Sequence, residues 1–394
     1  MKILIVSIVD PVHSSYSRLH AIASHLSKKH SVTILSVKDA WKQGQMSASI
    51  HISQFHESLP NVEVIYLSDK DRSIVTQELF SKHYLKKIIG NRSGREFNLI
   101  IDYGTITIGR NASKIHPNAP RIFDLADDVP DMIKISDRLP RGTSEIGSRI
   151  ARRLIHRSIE ASDLIAGTTP LLFEKYGVPE EKRLSLPNGI PEDFLNTIHS
   201  DEVIDSRKYQ DEFLMAYVGV LREWVDFQPV LEAMVRIGGD RKIRLLIIGS
   251  EGNPQRLIDQ AKSMGILPSI SMIGTVPHRE ILKYLVACDC GIIPFSESET
   301  SKYALPLKLF EYFSAGLPVI STRIKAIEDE FQEEILVYKD SEDLAEILSN
   351  LMNHRLPMGA VIRERRMKIL KNYTWDAIFT RLDDAIEMAS KRGS

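Results

Sequence analysis

Residues 303–321 read YALPLKLFEYFSAGLPVIS, and in this stretch a helical pattern is followed directly by a buried strand. The apolar run is interrupted by Lys308 and Glu311, which a spacing of three residues places on one side of a helix. One interpretation is a helix leading into a buried strand, with both charges reaching solvent as a surface ion pair. The other is a ligand site at the start of the helix. The pattern of the remaining chain decides between them.

The same alternation of helix and strand extends along the whole chain. Apolar runs such as KILIVSI at 2–8 and SVTILSV at 31–37 alternate with helical segments, and the series begins again with FLMAYVGV at 213–220. Continuous apolar strands separated by helices are typical of a parallel sheet covered on both faces. We therefore predict an α/β protein with two Rossmann-like, doubly wound parallel-sheet domains that face a central cleft.

The boundary between the two series is predicted near residue 190. There the Asn-Gly and Pro of LPNGIPEDF, at 186–194, break the periodicity. The predicted domains are 1–188 and 189–373, and a closing helix within 374–394 is expected to pack back across their junction. Because ligands bind beyond the carboxyl ends of parallel strands, each domain is expected to hold one of two substrates.

Composition and charge exclude some classes of function. The 394 residues are 43% hydrophobic and 26% charged with a formal net charge of −1, which is ordinary for a globular protein and argues against nucleic acid as a partner. The charge is uneven, since residues 1–188 contain 26 Lys and Arg against 20 Asp and Glu. This excess suggests an anionic partner such as a membrane surface or a phosphorylated substrate, although chance also produces such differences.

The chain contains no apolar run of the ~18 residues that a membrane-spanning helix needs. Asp10 and Pro11 end the first apolar run, so it is interpreted as a strand and not as a signal peptide. Cys288 and Cys290 are interpreted as buried and unpaired, because neighbours at this spacing on a strand point to opposite faces. We expect a cytoplasmic protein, with peripheral contact to the inner face of a membrane as an alternative.

The C-terminal half contains separated segments that resemble those of one known family. In order and in spacing they are similar to the donor-binding domain of GT-B glycosyltransferases of the family 4 type, the glycosyl transferases group 1. The segments are YVGVLREW, IRLLIIGSEG, MIGTVPHREILKYLVACDCGIIPF and PLKLFEYFSAGLPVIST. LPNGIPEDF and YTWDAIFTRL resemble the interdomain stretch and closing helix of the family, whereas the N-terminal half is divergent and its likeness is mostly architectural.

The resemblance implies that the C-terminal half binds a nucleotide-sugar donor, UDP- or GDP-linked, and it answers the opening question in favour of a ligand site. Glu311 lies where the family has a glutamate that binds the ribose hydroxyls, and a carboxylate can accept hydrogen bonds from both. The backbone amides near Leu307 and Lys308 would face the donor phosphates at the positive end of the helix dipole. Lys308 would add a full positive charge there.

Other positions of the donor side follow from the same resemblance. Gly219 and Arg222 occupy the region where the family places a glycine turn and basic residues against the diphosphate, and Gly274, Val276 and Pro277 lie where backbone groups meet the nucleobase. One departure is Tyr303, which replaces the first of two family glutamates and puts the sugar in doubt. The usual lysine is also missing, since Val225 and Asp226 stand in its place.

The stretch RIFDLADDVPD contains the candidate catalytic residues of the N-terminal half. Asp124, Asp127 and Asp128 follow a predicted strand, and closely spaced carboxylates can raise one another's pKa as a general base requires. The resemblance implies an acceptor-side role, with Asp127 at the best matching position. A divalent-metal site and an acidic helix cap are the alternatives. His13, in a first loop that lacks the paired glycines of the family, is a further acceptor-side candidate.

The leading hypothesis is a metal-independent glycosyltransferase without a cofactor, which moves a sugar from a nucleoside-diphosphate sugar to an acceptor hydroxyl of a glycan or lipid-linked acceptor in polysaccharide biosynthesis. A nucleotide-sugar epimerase of the same fold and a non-catalytic nucleotide-sugar-binding subunit are the alternatives. The helix predicted over 146–160 carries four arginines beside apolar residues, which suits either an anionic lipid surface or a solvated helix face.

Overall fold

The computed structural model describes residues 1–38, 48–68, 73–89, 96–135, 142–196, 211–238, 242–249, 251–353 and 360–392. Within them the chain divides into two compact units. The first comprises Met1–Asn188 together with Trp375–Ser394, and the second comprises Gly189–Thr374. None of the helices in the described ranges is both long and apolar enough to cross a membrane.

The strands of the first unit coincide with the apolar runs of the sequence. They are β1 (Lys2–Ser7), β2 (Ser31–Ser36), β3 (Glu63–Tyr66), β4 (Leu99–Tyr103), β5 (Arg121–Leu125), β6 (Leu164–Gly167) and β7 (Arg183–Ser185). In the described part of this unit they form one parallel sheet in the order β3-β2-β1-β4-β5-β6-β7. β1, β2, β4 and β5 are almost completely buried, as strands covered on both faces should be.

Helices cover both faces of this sheet. They are α1 (Arg18–Ser27), α2 (Ala48–Ser58), α3 (Ile74–Leu79), α4 (Ser81–Ile89), α5 (Ile108–Ser113), α6 (Val129–Ile135), α7 (Thr143–Glu160) and α8 (Pro170–Lys175). Residues 74–89 form two helices and not one, because the chain turns at Phe80 and the Ser73 hydroxyl caps only the first of them. Helices α2, α5, α6 and α8 are short or weakly patterned and have no counterpart in the sequence predictions.

The second unit repeats the architecture. Its strands are β8 (Glu212–Val218), β9 (Lys242–Ile248), β10 (Ile270–Gly274), β11 (Cys290–Ile293), β12 (Val319–Thr322) and β13 (Ile335–Tyr338). Across the described residues they form a second parallel sheet in the order β10-β9-β8-β11-β12-β13. The prediction of two doubly wound parallel sheets is confirmed.

The helices of the second unit are α9 (Gln228–Ile237), α10 (Pro254–Ser263), α11 (Ile281–Leu285), α12 (Glu299–Lys302), α13 (Leu307–Ser314), α14 (Lys325–Phe331), α15 (Ser341–Met352) and α16 (Ala360–Lys371). Cys288 lies in the turn before β11 and not on the strand, where its Sγ donates to the carbonyl oxygen of Tyr284. Both cysteines are buried and unpaired, and burial raises the pKa of each thiol, so neither is a reactive thiolate at neutral pH.

The last helix, α17 (Trp375–Arg392), belongs to the first unit. It packs on α1 and β7, where the Asp383 carboxylate meets His25 Nε2 at 2.9 Å and Lys29 Nζ at 2.8 Å. Phe379 stacks on Trp375 with ring centroids 5.2 Å apart. The chain therefore passes from the first unit into the second and ends on the first.

Candidate functional site

Three glycines line the carboxyl edge of the second sheet. Gly219, Gly249 and Gly274 lie at the ends of the adjacent strands β8, β9 and β10, with φ of 117°, 126° and 87°, a region that side chains rarely permit. A Cβ on Gly249 would lie 2.5 Å from the carbonyl oxygen of Gly219. The close packing of these turns therefore requires glycine. Because no side chain covers them, a ligand can approach their backbone closely.

Helix α13 begins at this same edge, because it follows β11 in the chain. The Tyr312 hydroxyl accepts a hydrogen bond from Val218 N at 3.0 Å and anchors the helix to β8. The Tyr312 ring lies against Gly291 of β11, where a Cβ would come within 2.4 Å of it. Leu307 and Lys308 are the first two residues of the helix, so their amides have no acceptor within it and are oriented to donate to an anion.

Lys308 is buried, although its side chain carries a charge at the start of a helix. Its Nζ lies 3.8 Å from the centroid of the Tyr217 ring and 5.3 Å from that of Phe295, beside the Gly219 turn. In the described ranges no carboxylate forms an ion pair with it. Burial lowers the pKa of Lys308 to about 7, which the nearby Glu311 carboxylate opposes only in part. The surface-pair interpretation therefore does not describe this residue.

Glu311 is held by a histidine that the sequence analysis did not select. Its Oε1 lies 2.9 Å from His278 Nε2, and both side chains are almost completely shielded from solvent. The imidazole stacks on Phe194 with ring centroids 4.9 Å apart and an angle of 15° between the planes. His278 follows the predicted nucleobase segment directly, but only the fold brings it to α13, more than thirty residues away. We call Gly219, His278, Lys308 and Glu311 the α13 site.

The other donor-side candidates lie around the α13 site. Arg222 is half-buried on the turn after β8 and close enough to Tyr217 to influence its pKa. Val276 packs against the core, and Pro277 precedes the short helix that contains His278. Tyr303 ends α12, with the Lys302 ammonium 5.7 Å from its ring centroid.

In the first unit, Asp124 is engaged in an internal ion pair. At the carboxyl end of β5 it accepts hydrogen bonds from Arg18 Nε at 2.9 Å and Arg18 Nη2 at 3.3 Å, and both residues are buried. Arg18 also donates to the carbonyl oxygen of Pro187 at 3.0 Å. Although burial raises the pKa of Asp124, its two oxygens are occupied by one guanidinium. This geometry favours a structural role in tying α1 to β5 and to the end of the unit.

Asp128 is also committed to internal contacts. Its carboxylate pairs with the Lys175 ammonium, accepts from the Tyr176 hydroxyl at 2.7 Å and accepts from Asp131 N at 3.3 Å in the first turn of α6. Lys175 also reaches Asp131, which pairs with Arg152 at 2.7 Å. The helix-cap interpretation describes Asp128 well. Among the residues with described positions, no three His, Cys, Asp or Glu side chains are arranged to hold a metal ion.

Asp127 differs from its two neighbours because its side chain is exposed. It lies beyond the end of β5, where its carbonyl oxygen accepts from Val129 N at 3.1 Å as the chain turns into α6. Its charge contributes to raising the pKa of the buried Tyr103 at the end of β4. Of the three predicted aspartates, it is the one whose carboxylate faces solvent at the carboxyl edge of the sheet.

His13 is oriented by a buried carboxylate that sequence reasoning missed. Asp10 is completely buried, and its Oδ2 lies 3.0 Å from His13 Nδ1. Its Oδ1 accepts from Val12 N at 3.1 Å and from the Tyr66 hydroxyl at 3.0 Å. The loop after β1 therefore obtains its shape from Asp10, whereas the family uses glycines there. The one signal in the sequence was an aspartate directly after a buried strand.

Comparison with known proteins shows a family likeness in the second half of the chain. Residues 200–373 match the family model described as Glycosyl transferases group 1. The fold of the chain is GT-B. TuaH of Bacillus subtilis strain 168, a putative teichuronic acid biosynthesis glycosyltransferase, is 20% identical over 250 residues, which are 61% of this chain and 62% of that protein. Glycogen synthase of Mycobacterium tuberculosis is 23% identical over 184 residues, 45% of this chain and 43% of the relative.

The chain thus spans less than two thirds of these curated relatives, but its likeness to solved structures covers almost its whole length. HepE from Anabaena, in complex with UDP and glucose, has a TM-score of 0.72 at 15% identity over 98% of this chain and 100% of that one. Sucrose-phosphate synthase from Thermosynechococcus elongatus has a TM-score of 0.74 at 15% identity, with 98% of each chain covered. The GT-B fold predicted from the group 1 segments is confirmed, together with the divergence of the N-terminal half.

The burial of Lys308 predicts a pH-dependent cost to stability. Because its pKa is lower in the folded than in the unfolded protein, the unfolded chain holds one more proton between about pH 7 and 10.5, and stability should rise with pH across that window. Lys308→Met should therefore be more stable than the wild type near pH 6.5, by on the order of several kcal/mol, and the difference should disappear by pH 10. Urea unfolding at both pH values measures it.

Lys262→Met provides the matched control, since Lys262 is an exposed lysine of the same unit. It should change the free energy of unfolding by less than about 0.5 kcal/mol at either pH. A Lys308→Met variant less stable than the wild type at pH 6.5 would show that the ammonium is well compensated in the folded state.

The contact between Glu311 and His278 predicts a graded effect on nucleotide affinity. Glu311→Ala should weaken binding of the preferred nucleoside diphosphate by about 1–3 kcal/mol through lost charge-assisted hydrogen bonds. His278→Ala leaves the carboxylate in place but unoriented, so it should have a smaller effect. Calorimetry measures both, and the 2′,3′-dideoxy form of the same nucleotide tests the ribose contact. If Glu311→Ala lost as much affinity for the dideoxy form, the carboxylate would not contact the ribose.

Proposed function

We propose that the protein is a glycosyltransferase that moves a sugar from a nucleoside-diphosphate sugar to an acceptor hydroxyl. The observation that carries the proposal is the α13 site. There a buried lysine, the first amides of a helix and glycine turns without side chains lie together at the carboxyl edge of the second sheet. The lysine and the helix amides favour an anionic ligand, and the glycine turns allow it to approach the backbone, as a diphosphate would require. Glu311, three residues further along the helix, can then accept from the hydroxyls of the attached ribose.

The chemical role of this arrangement would be to stabilise the leaving group. Cleavage of the bond between sugar and diphosphate leaves negative charge on the phosphate, and Lys308 with the helix amides would stabilise it more strongly in a buried site than in water. Arg222, on the adjacent turn, is a second candidate for this contact. The relatives support the class of reaction, since TuaH is named a glycosyltransferase and HepE was solved with UDP and glucose.

The acceptor would be a glycan or a lipid-linked sugar, bound at the carboxyl edge of the first sheet. Asp127, whose side chain is exposed, and His13, which Asp10 orients, are the candidate groups at that edge. In an inverting reaction Asp127 would accept the proton of the acceptor hydroxyl. In a retaining reaction it would orient the acceptor or stabilise developing positive charge.

The first test is direct. Incubation with UDP-, GDP- and ADP-sugars should release nucleoside diphosphate, and candidate acceptor glycans and lipid-linked acceptors should increase the rate of release for one of these donors. Absence of binding to any nucleotide, measured by calorimetry on the folded protein, would refute the proposal.

Independence from divalent metal is also a proposal, because Lys308 and the start of α13 would take the role that a metal has in other transferases. Activity should persist in excess chelator, and turnover with and without EDTA measures it. Complete loss of turnover on chelation, restored by magnesium or manganese, would show instead that a cation contacts the diphosphate.

Asp127→Asn should reduce kcat by about 10²–10⁴ if the side chain acts as general base, while nucleotide affinity and stability change little because the residue is exposed. Asp124→Asn should instead lower stability by roughly 3–5 kcal/mol, since it leaves the buried Arg18 without its carboxylate. Asp128→Asn should lower stability less, because Lys175 keeps its ion pair with Asp131. Steady-state kinetics and thermal unfolding separate the two effects.

Asp384→Asn, an exposed aspartate on α17 in the same unit, controls for the change in net charge. If Asp127→Asn retained wild-type turnover, the base would have to be sought elsewhere at this edge, with His13 as the next candidate.

A further inference from the structure

A group of exposed apolar side chains lies on the helices that connect the strands of the first unit. Leu79 is 73% exposed and Phe80 58% exposed at the junction of α3 and α4, and Ile146 and Ile150 on α7 are 60% and 56% exposed. Nine large apolar side chains are exposed among the described residues. Five of the nine are these four and Val75 of α3. Such clustering usually marks an interaction surface.

The topology places both segments on the same face of the sheet. The connections from β3 to β4, from β4 to β5 and from β5 to β6 all run in one direction across the strand order, and parallel crossovers are right-handed. Their helices α3, α4, α5 and α7 therefore cover one face, whereas α1 and α2 cover the other. α4 packs on α5, and Arg110 of α5 lies near Arg157 of α7. These helices thus form a continuous layer.

The apolar residues lie toward one end of that layer. α7 ends at Glu160, shortly before β6 begins at the amino edge of the sheet, so Ile146 and Ile150, near the start of this 18-residue helix, lie toward the carboxyl edge. The buried Glu78 accepts from the amides of Ile106 and Thr107 in the loop after β4, which fixes the α3–α4 junction at the same edge. This is also the edge of Asp127 and His13.

The exposed charges around these side chains are predominantly positive. Lys82, Lys86 and Lys87 are exposed on α4, and the only acidic residue on α3 and α4 is the buried Glu78. Arg149, Arg153 and Arg157 repeat along the exposed face of α7 at a spacing of four residues. Of the acidic residues on α7, Glu145 already faces Lys134 and Arg149 at 3.4 and 3.6 Å.

We propose that this face, the α3–α4 junction with the exposed side of α7, docks the protein on an anionic lipid bilayer. The lysines and arginines would contact the headgroups, and the apolar side chains at the carboxyl edge would enter the boundary between headgroups and acyl chains. The helix of 146–160 singled out in the sequence is then one part of a larger surface. Docking in this orientation holds the acceptor side of the first unit at the membrane surface.

Vesicle sedimentation tests the proposal on the full chain. Binding should be strong to vesicles of 30% phosphatidylglycerol in phosphatidylcholine, at least about tenfold weaker to pure phosphatidylcholine, and should fall as salt is raised from 50 to 500 mM. The double variant Leu79→Ser, Phe80→Ser and the triple variant Lys82→Glu, Lys86→Glu, Lys87→Glu should each weaken binding by about tenfold or more.

Matched controls carry the same changes elsewhere. Val235→Ser with Met388→Ser removes two other exposed apolar side chains, and the triple change of Lys242, Lys262 and Lys339 to Glu alters net charge equally on the second unit. Both controls should bind within about twofold of the wild type.

Three results would overturn the proposal. They are no binding to anionic vesicles, equal binding to neutral ones, and an equal loss of binding in the controls. Concentration-dependent dimerisation abolished by Leu79→Ser, Phe80→Ser, without vesicle binding, would assign the face to a second copy of the chain instead. None of these measurements depends on sugar transfer, so the outcome is separate from that of the proposed function.

Discussion

The site of the second unit depends on one interaction, an ammonium group that is buried over aromatic rings and has no paired carboxylate among the described residues. Lys308 lies above Tyr217 and beside Phe295, so cation–π attraction recovers part of the hydration that burial removes. Its position at the start of α13 adds repulsion from the positive end of the helix dipole. The glycine turn at Gly219 contributes no side chain to its surroundings, and the nearby Glu311 carboxylate compensates the charge only in part. An anion bound beside this ammonium would offset the cost of its burial, and in the proposed function the same attraction would stabilise the leaving group.

Buried charges in the first unit are arranged in the opposite way, because each has a partner. Arg18 is saturated by Asp124 and a backbone carbonyl, and Lys175 bridges Asp128 and Asp131. Such pairs fix helices to strand ends and leave little charge for binding. The same edge carries the exposed Asp127 and an imidazole whose Nδ1 faces the buried Asp10. In the proposed function these are the groups that would act on the acceptor.

The sequence predicted the strands and the two-sheet architecture well, because continuous apolar runs separated by helices have few alternative folds. It predicted long amphipathic helices such as α7 and α17 but not α5 or α8, which span six residues each and have little periodicity to detect. It brought Lys308 and Glu311 together because they lie within one helix turn. His278 and Arg18 could not be found in this way, since their partners lie 33 and 106 residues away in sequence. The closeness of the three aspartates in the sequence also hid the difference between the exposed Asp127 and its two buried neighbours.

The buried Lys308 lies beside the glycine turn after which the resemblance places a family lysine. In the family pattern that the group 1 segments resemble, a lysine follows the glycine turn after the first strand of the donor domain, and Val225 and Asp226 occupy that region here. Val225 is buried and bridges Phe295, and Asp226 N donates to the carbonyl oxygen of Pro294 at 2.8 Å, so this loop is pinned to the chain after β11. Phe295, held there by Val225, is one of the rings beside Lys308. Val225, in the region of the family lysine, thus helps to build the apolar surroundings of Lys308. The positive charge comes instead from α13, on the other side of the Gly219 turn.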